Sequence, residues 1–99
     1  MQYNFEWDPA KARGNLRKHG VSFELASEVF RDPMALTIYD EDDSSHEEDR
    51  WVTLGQVNGQ HYLVVVHTYR QQQADDAVVI RLISARHATR HEMTQYQNG

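Results

Sequence analysis

The alternation of aromatic and polar residues over Tyr3–Trp7 predicts a short strand at the start of this chain. Asp8 and Pro9 then form a helix start, with an N-cap followed by proline in the first helical position. Gly20 is a helix stop, so we predict a helix over residues 9–19.

The apolar residues of this helix are few, with Ala12 and Leu16 as its expected anchors, which predicts a helix at the surface. Ser22 is a suitable cap for a second, more apolar helix over residues 23–31. Asp32-Pro33 ends that helix, because proline disfavours helical backbone in the residue before it.

The rest of the chain is dominated by strand patterns. Four further strands are predicted, over Ala35–Tyr39, Trp51–Val57, His61–Tyr69 and Val78–Ala85. Asn58-Gly59 predicts a two-residue type I′ hairpin turn between the middle two. The last strand is apolar on both faces, so we expect it in the interior of the sheet. Thr89 and Glu92 form a capping box that opens a terminal helix reaching about Gln97.

The order of these elements, β-α-α-β-β-β-β-α, indicates the α+β class. We expect a twisted, mainly antiparallel sheet with the two N-terminal helices and the C-terminal helix packed on one face. The length of 99 residues predicts a single domain over residues 1–99.

Composition excludes several protein classes. Cysteine is absent, which removes disulfide frameworks, thiolate metal sites and cysteine nucleophiles. The longest strongly apolar run, Tyr62–Val66, is far shorter than the roughly 18 residues of a membrane span. The N-terminus lacks the basic and apolar regions of a signal peptide, so we expect a cytoplasmic protein with no membrane partner.

Charge is distributed unevenly along the chain. The formal net charge is −5, but residues 37–49 carry seven acidic residues and no lysine or arginine. Outside that segment eight acidic residues face ten basic ones. Bases concentrate in residues 9–22 and 77–99, so one acidic segment masks two basic segments that can bind a polyanion.

The sequence carries few motifs for chemistry. His87 and His91 have the spacing of a helical metal pair, but Ala-Thr-Arg stands between them, unlike the glutamate motif of zinc proteases. No glycine-rich phosphate loop or serine nucleophile motif is present. The remaining arginine, lysine, histidine, glutamate and tyrosine side chains suit metal-free RNA cleavage, which needs a base, an acid and cations on the phosphate.

Three blocks of residues carry a resemblance to a known family. They are Phe5-Glu6-Trp7-Asp8-Pro9 through Lys18-His19-Gly20 to Asp32-Pro33, Arg50-Trp51 through His67-Thr68, and Ile80-Arg81-Leu82-Ile83-Ser84-Ala85-Arg86 through Glu92 and Tyr96. In this order and at this length, the chain resembles the BrnT family of bacterial toxins, the ribonuclease half of type II toxin–antitoxin modules.

The resemblance implies a RelE-like fold, RNA cleavage that inhibits translation, and no cofactor. It also implies a cognate BrnA-like antitoxin with a ribbon-helix-helix DNA-binding domain, so that operator DNA is contacted only through the antitoxin. One departure is visible. The family usually has His-Ser ahead of its Glu-x-Arg-Trp stretch, whereas here the matching pair is Ser44-Ser45, followed by His46.

Candidate site residues follow from the resemblance and from their charge. The expected catalytic residues are Arg50, Arg81, Arg86, Glu92, Tyr96 and His19. The expected RNA-binding residues are Lys11, Lys18 and Trp51.

Each candidate also has a structural interpretation. Arg81 interrupts an apolar strand, so it needs a carboxylate partner or an open cleft. Ideal strand alternation puts Arg86 on the opposite face from Arg81, so both serve one site only if a bulge intervenes. Glu92 is explained by the capping box and Trp51 by the core, while Lys18 and His19 favour the helix C-terminus electrostatically.

Two other functions stay open at this stage. The first is a non-catalytic, RelE-like binding partner that acts in an antitoxin–operator repressor complex, which the Ser44-Ser45 departure keeps possible. The second is a metal hydrolase built on His87 and His91 with a third ligand such as His46, His61 or His67.

Overall fold

The computed structural model describes residues 2–41, 48–72 and 77–99, and it has the predicted order of strands and helices. The elements are β1 (Gln2–Glu6), α1 (Pro9–His19), α2 (Phe23–Ser27), a 3₁₀ turn (Glu28–Arg31), β2 (Leu36–Tyr39), β3 (Trp51–Val57), β4 (His61–Gln72), β5 (Ala77–His87) and α3 (Arg90–Asn98). The predicted second helix is therefore α-helical only in its first half. None of the helices within the described ranges is long and apolar enough to cross a membrane.

The five strands form one twisted sheet in the order β1-β5-β4-β3-β2. β1 is parallel to β5, and the other neighbours are antiparallel, which confirms the α+β class and the mainly antiparallel sheet. β5 lies between β1 and β4, as its two-sided hydrophobicity predicts. The predicted hairpin is also confirmed, because Asn58 and Gly59 have φ angles of 56° and 69°.

A bulge in β5 decides which side chains share a face. Val66 pairs with Ser84, but the next residue of β4, His67, pairs with Leu82, so Ile83 is the extra residue. Arg81 and Arg86 lie opposite Thr68 and Val64, two residues that point the same way along β4. The bulge thus brings both arginines to one face, the condition that the sequence alone left open.

One face of the sheet carries the main core together with α1 and α2, and we call it the α2 face. Its buried side chains come from strands and helices alike: Val21, Phe23, Ala26, Val29, Val57, Leu63, Val65, Ile80, Leu82 and Ala85.

The opposite face, the α3 face, carries Arg81, Arg86, Val52, Leu54 and Val64. α3 packs here, since Glu92 contacts Arg86 and the ring of Tyr96 lies against Tyr62. The prediction that all helices share one face is therefore wrong for α3. The physical reason is that β3 and β4 have apolar side chains on both faces, and α3 leaves Leu54 and Val64 only 8% and 4% exposed.

α1 is attached to the sheet by a buried amide. β1 pairs with β5 only as far as Arg81. After Arg81, the edge of β5 that faces β1 has no neighbouring strand among the described residues. Asn15 fills the place: its Oδ1 accepts from Ala85 N–H at 3.0 Å, and its Nδ2 donates to the carbonyls of Ala85 and Val21. Ala12 packs against the core as expected, but Leu16, the other expected anchor, is 51% exposed, so the expectation is wrong for Leu16. A polar side chain anchors α1 because the surface it meets is the backbone edge of a strand.

Candidate functional site

Arg50 and Arg81 converge on one carboxylate. Arg50 enters β3 and contacts Oε1 of Glu48 through its Nε at 3.6 Å, and Nη2 of Arg81 contacts Oε2. All three side chains are about one third exposed, since the exposed fractions are 33%, 32% and 42% for Arg50, Glu48 and Arg81. An ion pair at this exposure is weak and exchangeable, so an anion from solution can take the place of the carboxylate.

Glu48 and Arg81 of this triad line a cleft of about 310 Å³ on the α3 face. Its lining also includes Thr68, which is the register partner of Arg81, and the pair of Arg70 and Glu6, whose charged atoms lie 3.4 Å apart. Guanidinium groups bind phosphate through paired N–H donors, and two of them, those of Arg70 and Arg81, line this cleft, while Arg50 contacts Glu48 at its border. The cleft can therefore hold a phosphodiester.

Glu48 is the functional candidate that sequence reasoning missed. It is one of seven acidic residues in residues 37–49, and nothing in that segment's composition distinguishes it from the other six. A usable signal was its spacing. Residues two apart in extended chain point to the same side, so Glu48 and Arg50 are on the face where Arg81 lies.

Arg86 and Glu92 bind each other instead of the triad. Two parallel hydrogen bonds of 2.8 and 2.9 Å join the guanidinium to the carboxylate, and Glu92 also accepts from the backbone N–H of Thr89. The hydrogen bonds from Arg86 lower the pKa of Glu92 to about 2, against the opposing effect of partial burial. The predicted capping box is confirmed, and the same glutamate fixes α3 to β5.

Tyr96 holds the other end of α3. Its hydroxyl donates to Oδ2 of Asp32 at 2.7 Å, which raises the pKa of the phenol to about 12. Partial burial would raise the pKa of Asp32, but hydrogen bonds from Gln56, Tyr96 and Met34 outweigh it and hold this pKa below its usual value. Tyr96 therefore stays protonated at neutral pH and serves as an anchor.

The three candidates on α1 lie next to Arg86 rather than at the triad. Asn15 contacts the backbone of Ala85, the neighbour of Arg86, so α1 runs along this part of β5. Helical geometry places Lys11 and Lys18 on the side of Asn15 away from Leu16, which borders α2. Both lysines are exposed, while His19 is partly buried.

Trp51 lies on the α2 face, across the sheet from Arg81. Its ring packs between those of Tyr39 and Tyr69, at centroid distances of 5.1 and 5.7 Å. The structure therefore separates this predicted RNA-binding residue from the triad by the thickness of the sheet.

His67 is a buried histidine inside the α2 face. Its Nε2 is 2.7 Å from Oγ1 of Thr53, and the rings of Phe30 and Tyr69 enclose it at 4.7 and 4.8 Å. Burial lowers the pKa of His67 to about 4, despite a weak opposing contact with the carbonyl of Thr68.

We expect this histidine to make the fold sensitive to mild acid. Because the folded pKa is below the usual value of 6.5, protonation favours the unfolded chain, and stability falls as pH drops from 6.5 towards 4. The expected loss in unfolding free energy between pH 7 and pH 5 is about 2 kcal/mol. Urea denaturation measures it, with His67→Gln as the control that removes the dependence. Glu92 does not interfere, since its contribution is lost only below pH 4.5.

Other predicted features are untested or unsupported by the described part of the chain. Ser44-Ser45, His46 and much of the acidic segment lie outside the described residues. Within the described ranges no three histidine, aspartate or glutamate side chains are grouped so as to hold a metal ion. His87 instead has His61 as a ring neighbour, at a centroid distance of 6.3 Å.

Comparisons with known proteins agree on one family. The sequence profile described as the ribonuclease toxin BrnT of type II toxin–antitoxin systems matches residues 7–92. Among solved structures, the fold is similar to the crystal structure of the Brucella abortus ribonuclease toxin BrnT, with a TM-score of 0.64 and 24% sequence identity. That match covers 91% of this chain and 100% of the Brucella chain. A search of curated protein sequences finds no significant match.

Proposed function

Because the chain belongs to the BrnT family of ribonuclease toxins of type II toxin–antitoxin systems, we propose that it is a metal-independent endoribonuclease with its active site at the Arg50–Glu48–Arg81 triad. The observation that carries this proposal is the convergence of two guanidinium groups on one exposed carboxylate at an open cleft. The proposed substrate is single-stranded RNA in the cytoplasm, whose cleavage inhibits translation.

In the proposed reaction, a backbone phosphate of the RNA displaces Glu48 from the two arginines. Arg50 and Arg81 then bind the non-bridging oxygens and stabilise the negative charge that grows on them in the transition state. Glu48, freed beside the phosphate, accepts the proton of the ribose 2′-hydroxyl as the general base. The 2′ oxygen attacks phosphorus, the bond to the 5′ oxygen breaks, and that oxygen takes a proton from water. The proton held by Glu48 then neutralises the resulting hydroxide, which restores the carboxylate.

The remaining candidates act around this centre. Arg86, Glu92 and Tyr96 are positioning residues, because their hydrogen bonds fix α3 over the neighbouring part of the α3 face. Lys11 and Lys18, with His19 beside them, contribute positive charge at the rim, where they attract the RNA backbone. Trp51 faces the other side of the sheet and stabilises β3 by packing on Tyr39 and Tyr69.

The proposed regulator is a ribbon-helix-helix antitoxin. Membership in a type II system implies a protein partner, and the simplest inhibition is to cover the surface that meets RNA. We expect acidic antitoxin residues over Lys11, Lys18 and the triad, with association that weakens as salt rises. The DNA-binding half of the antitoxin would contact the operator.

Inducible expression in a bacterium tests the proposed function. We expect growth arrest with loss of cellular RNA when the chain is expressed alone, and normal growth when the cognate antitoxin is expressed with it. Absence of arrest and RNA loss in several hosts would contradict the ribonuclease proposal and favour a non-catalytic partner in a repressor complex.

A further inference from the structure

The outer edge of β2 is a second surface with features of a binding site. β2 pairs with β3 through residues 36–39, and no described strand lies on its other side, so one row of backbone N–H and C=O groups remains available. Proteins usually protect such edges with charges or proline. The β2 sequence Leu-Thr-Ile-Tyr contains neither.

Apolar side chains are exposed at the same edge. Ile38 is 66% exposed and Met34 is 60% exposed, the two highest values among the large apolar residues of the described part of the chain. Between β2 and α3 lies a groove of about 180 Å³, walled mainly by Leu36, Ile38, Val52, Leu54 and Val64. An unguarded edge beside an apolar groove is the arrangement that accepts an added strand, with backbone hydrogen bonds for affinity and the groove for side chains.

We propose that an extended segment of the cognate antitoxin adds to the sheet along β2 and places an apolar side chain in the groove against α3. This inference rests on the type II family, which supplies a protein partner, and is independent of the active site assigned above. A strand added at this edge would pack diagonally on Ile38 and remove it from water.

Charge favours the antitoxin over a second copy of this chain. β2 runs directly into Asp40 and Glu41, the start of the segment with seven acids and no lysine or arginine. Two copies paired antiparallel through residues 36–39 would place Asp40 and Glu41 of one copy opposite Ala35 and Met34 of the other, which offer no positive charge to these acids. A partner segment with apolar residues followed by lysine or arginine matches both the groove and the acidic residues, so we expect that composition.

The test is the affinity of the folded protein for its purified cognate antitoxin, compared between wild type, Ile38→Lys, Ile38→Val and Tyr3→Lys. Ile38→Lys should weaken binding roughly 10- to 100-fold, the value of burying one large aliphatic side chain. Ile38→Val should retain near wild-type affinity. Tyr3→Lys is the matched control, a like change at a 45% exposed residue of β1 on the opposite edge of the sheet, and should also bind normally.

Two other readouts separate the possible occupants. RNA cleavage by Ile38→Lys should match cleavage by the wild type, and this activity also shows that the variant is folded. Selective loss of cleavage with unchanged antitoxin affinity would assign this face to RNA binding and overturn the proposal. Light scattering of the wild-type chain alone should give a monomer mass. A dimer that Ile38→Lys disrupts, or an unchanged antitoxin affinity, would likewise overturn it.

Discussion

Replacing Arg81 with alanine is expected to lower RNA cleavage by roughly 10²- to 10³-fold, the range measured when one preorganised donor to a developing oxyanion is removed. Arg81 and Arg50 both contact Glu48, and the loss of either one leaves negative charge in the transition state without a stabilising cation. The substitution should lower the cleavage rate of bound RNA more than the affinity for RNA, because we expect many other contacts to hold the RNA backbone.

The fold should survive this substitution. The side chain of Arg81 is 42% exposed and its partner Glu48 is open to water, so little burial is lost. Single-turnover cleavage of a short labelled RNA measures the rate, and thermal unfolding checks the fold. Arg31→Ala, at an exposed arginine outside the cleft, is the matched control and should cleave normally. Wild-type cleavage by Arg81→Ala would remove this arginine from the active site.

Replacing Asn15 with alanine is expected to lower the free energy of unfolding by roughly 3 to 5 kcal/mol, a large share of the stability of a domain of this size. The amide of Asn15 is buried and satisfies three backbone groups, the N–H and C=O of Ala85 and the C=O of Val21. Alanine leaves these groups without that partner and detaches α1 from β5.

Urea denaturation measures this loss. Leu16→Ala is a control on the next residue of the same helix and should cost less than about 1 kcal/mol, because half of the leucine is already exposed. Similar losses for the two variants would show that α1 is held by its apolar contacts and that the amide has no special role.

Local sequence signals predicted most of the fold. Asn58-Gly59, the cap at Ser22 and the capping box at Thr89 each concern neighbouring residues, and the structure confirms all three. The two-sided apolar pattern of β5 placed it correctly inside the sheet. These features are determined within a few residues, so they can be read from the chain directly.

The features that the sequence alone could not decide are contacts between distant residues. The bulge at Ile83 depends on the pairing of β4 with β5, and only this pairing decides whether Arg81 and Arg86 share a face. The buried role of Asn15 has no local signal either, because its partner, Ala85, is 70 residues away.

The same limitation applies to the candidate site. Sequence named Arg50 and Arg81, but their meeting point is Glu48, which is 33 residues from Arg81. The sequence also left open whether Glu92 and Tyr96 take part in catalysis or in structure. Their partners, Arg86 and Asp32, lie on elements whose positions depend on the packing of α3 against the sheet.

The measurement that tests the central claim most directly is cleavage of single-stranded RNA by the purified protein in excess EDTA, with analysis of the product ends. Attack by the 2′-hydroxyl predicts cleavage without divalent metal, giving a 2′,3′-cyclic phosphate on one fragment and a 5′-hydroxyl on the other. No cleavage under these conditions, or cleavage only after a divalent metal is restored, would contradict a metal-independent site at Arg50, Glu48 and Arg81.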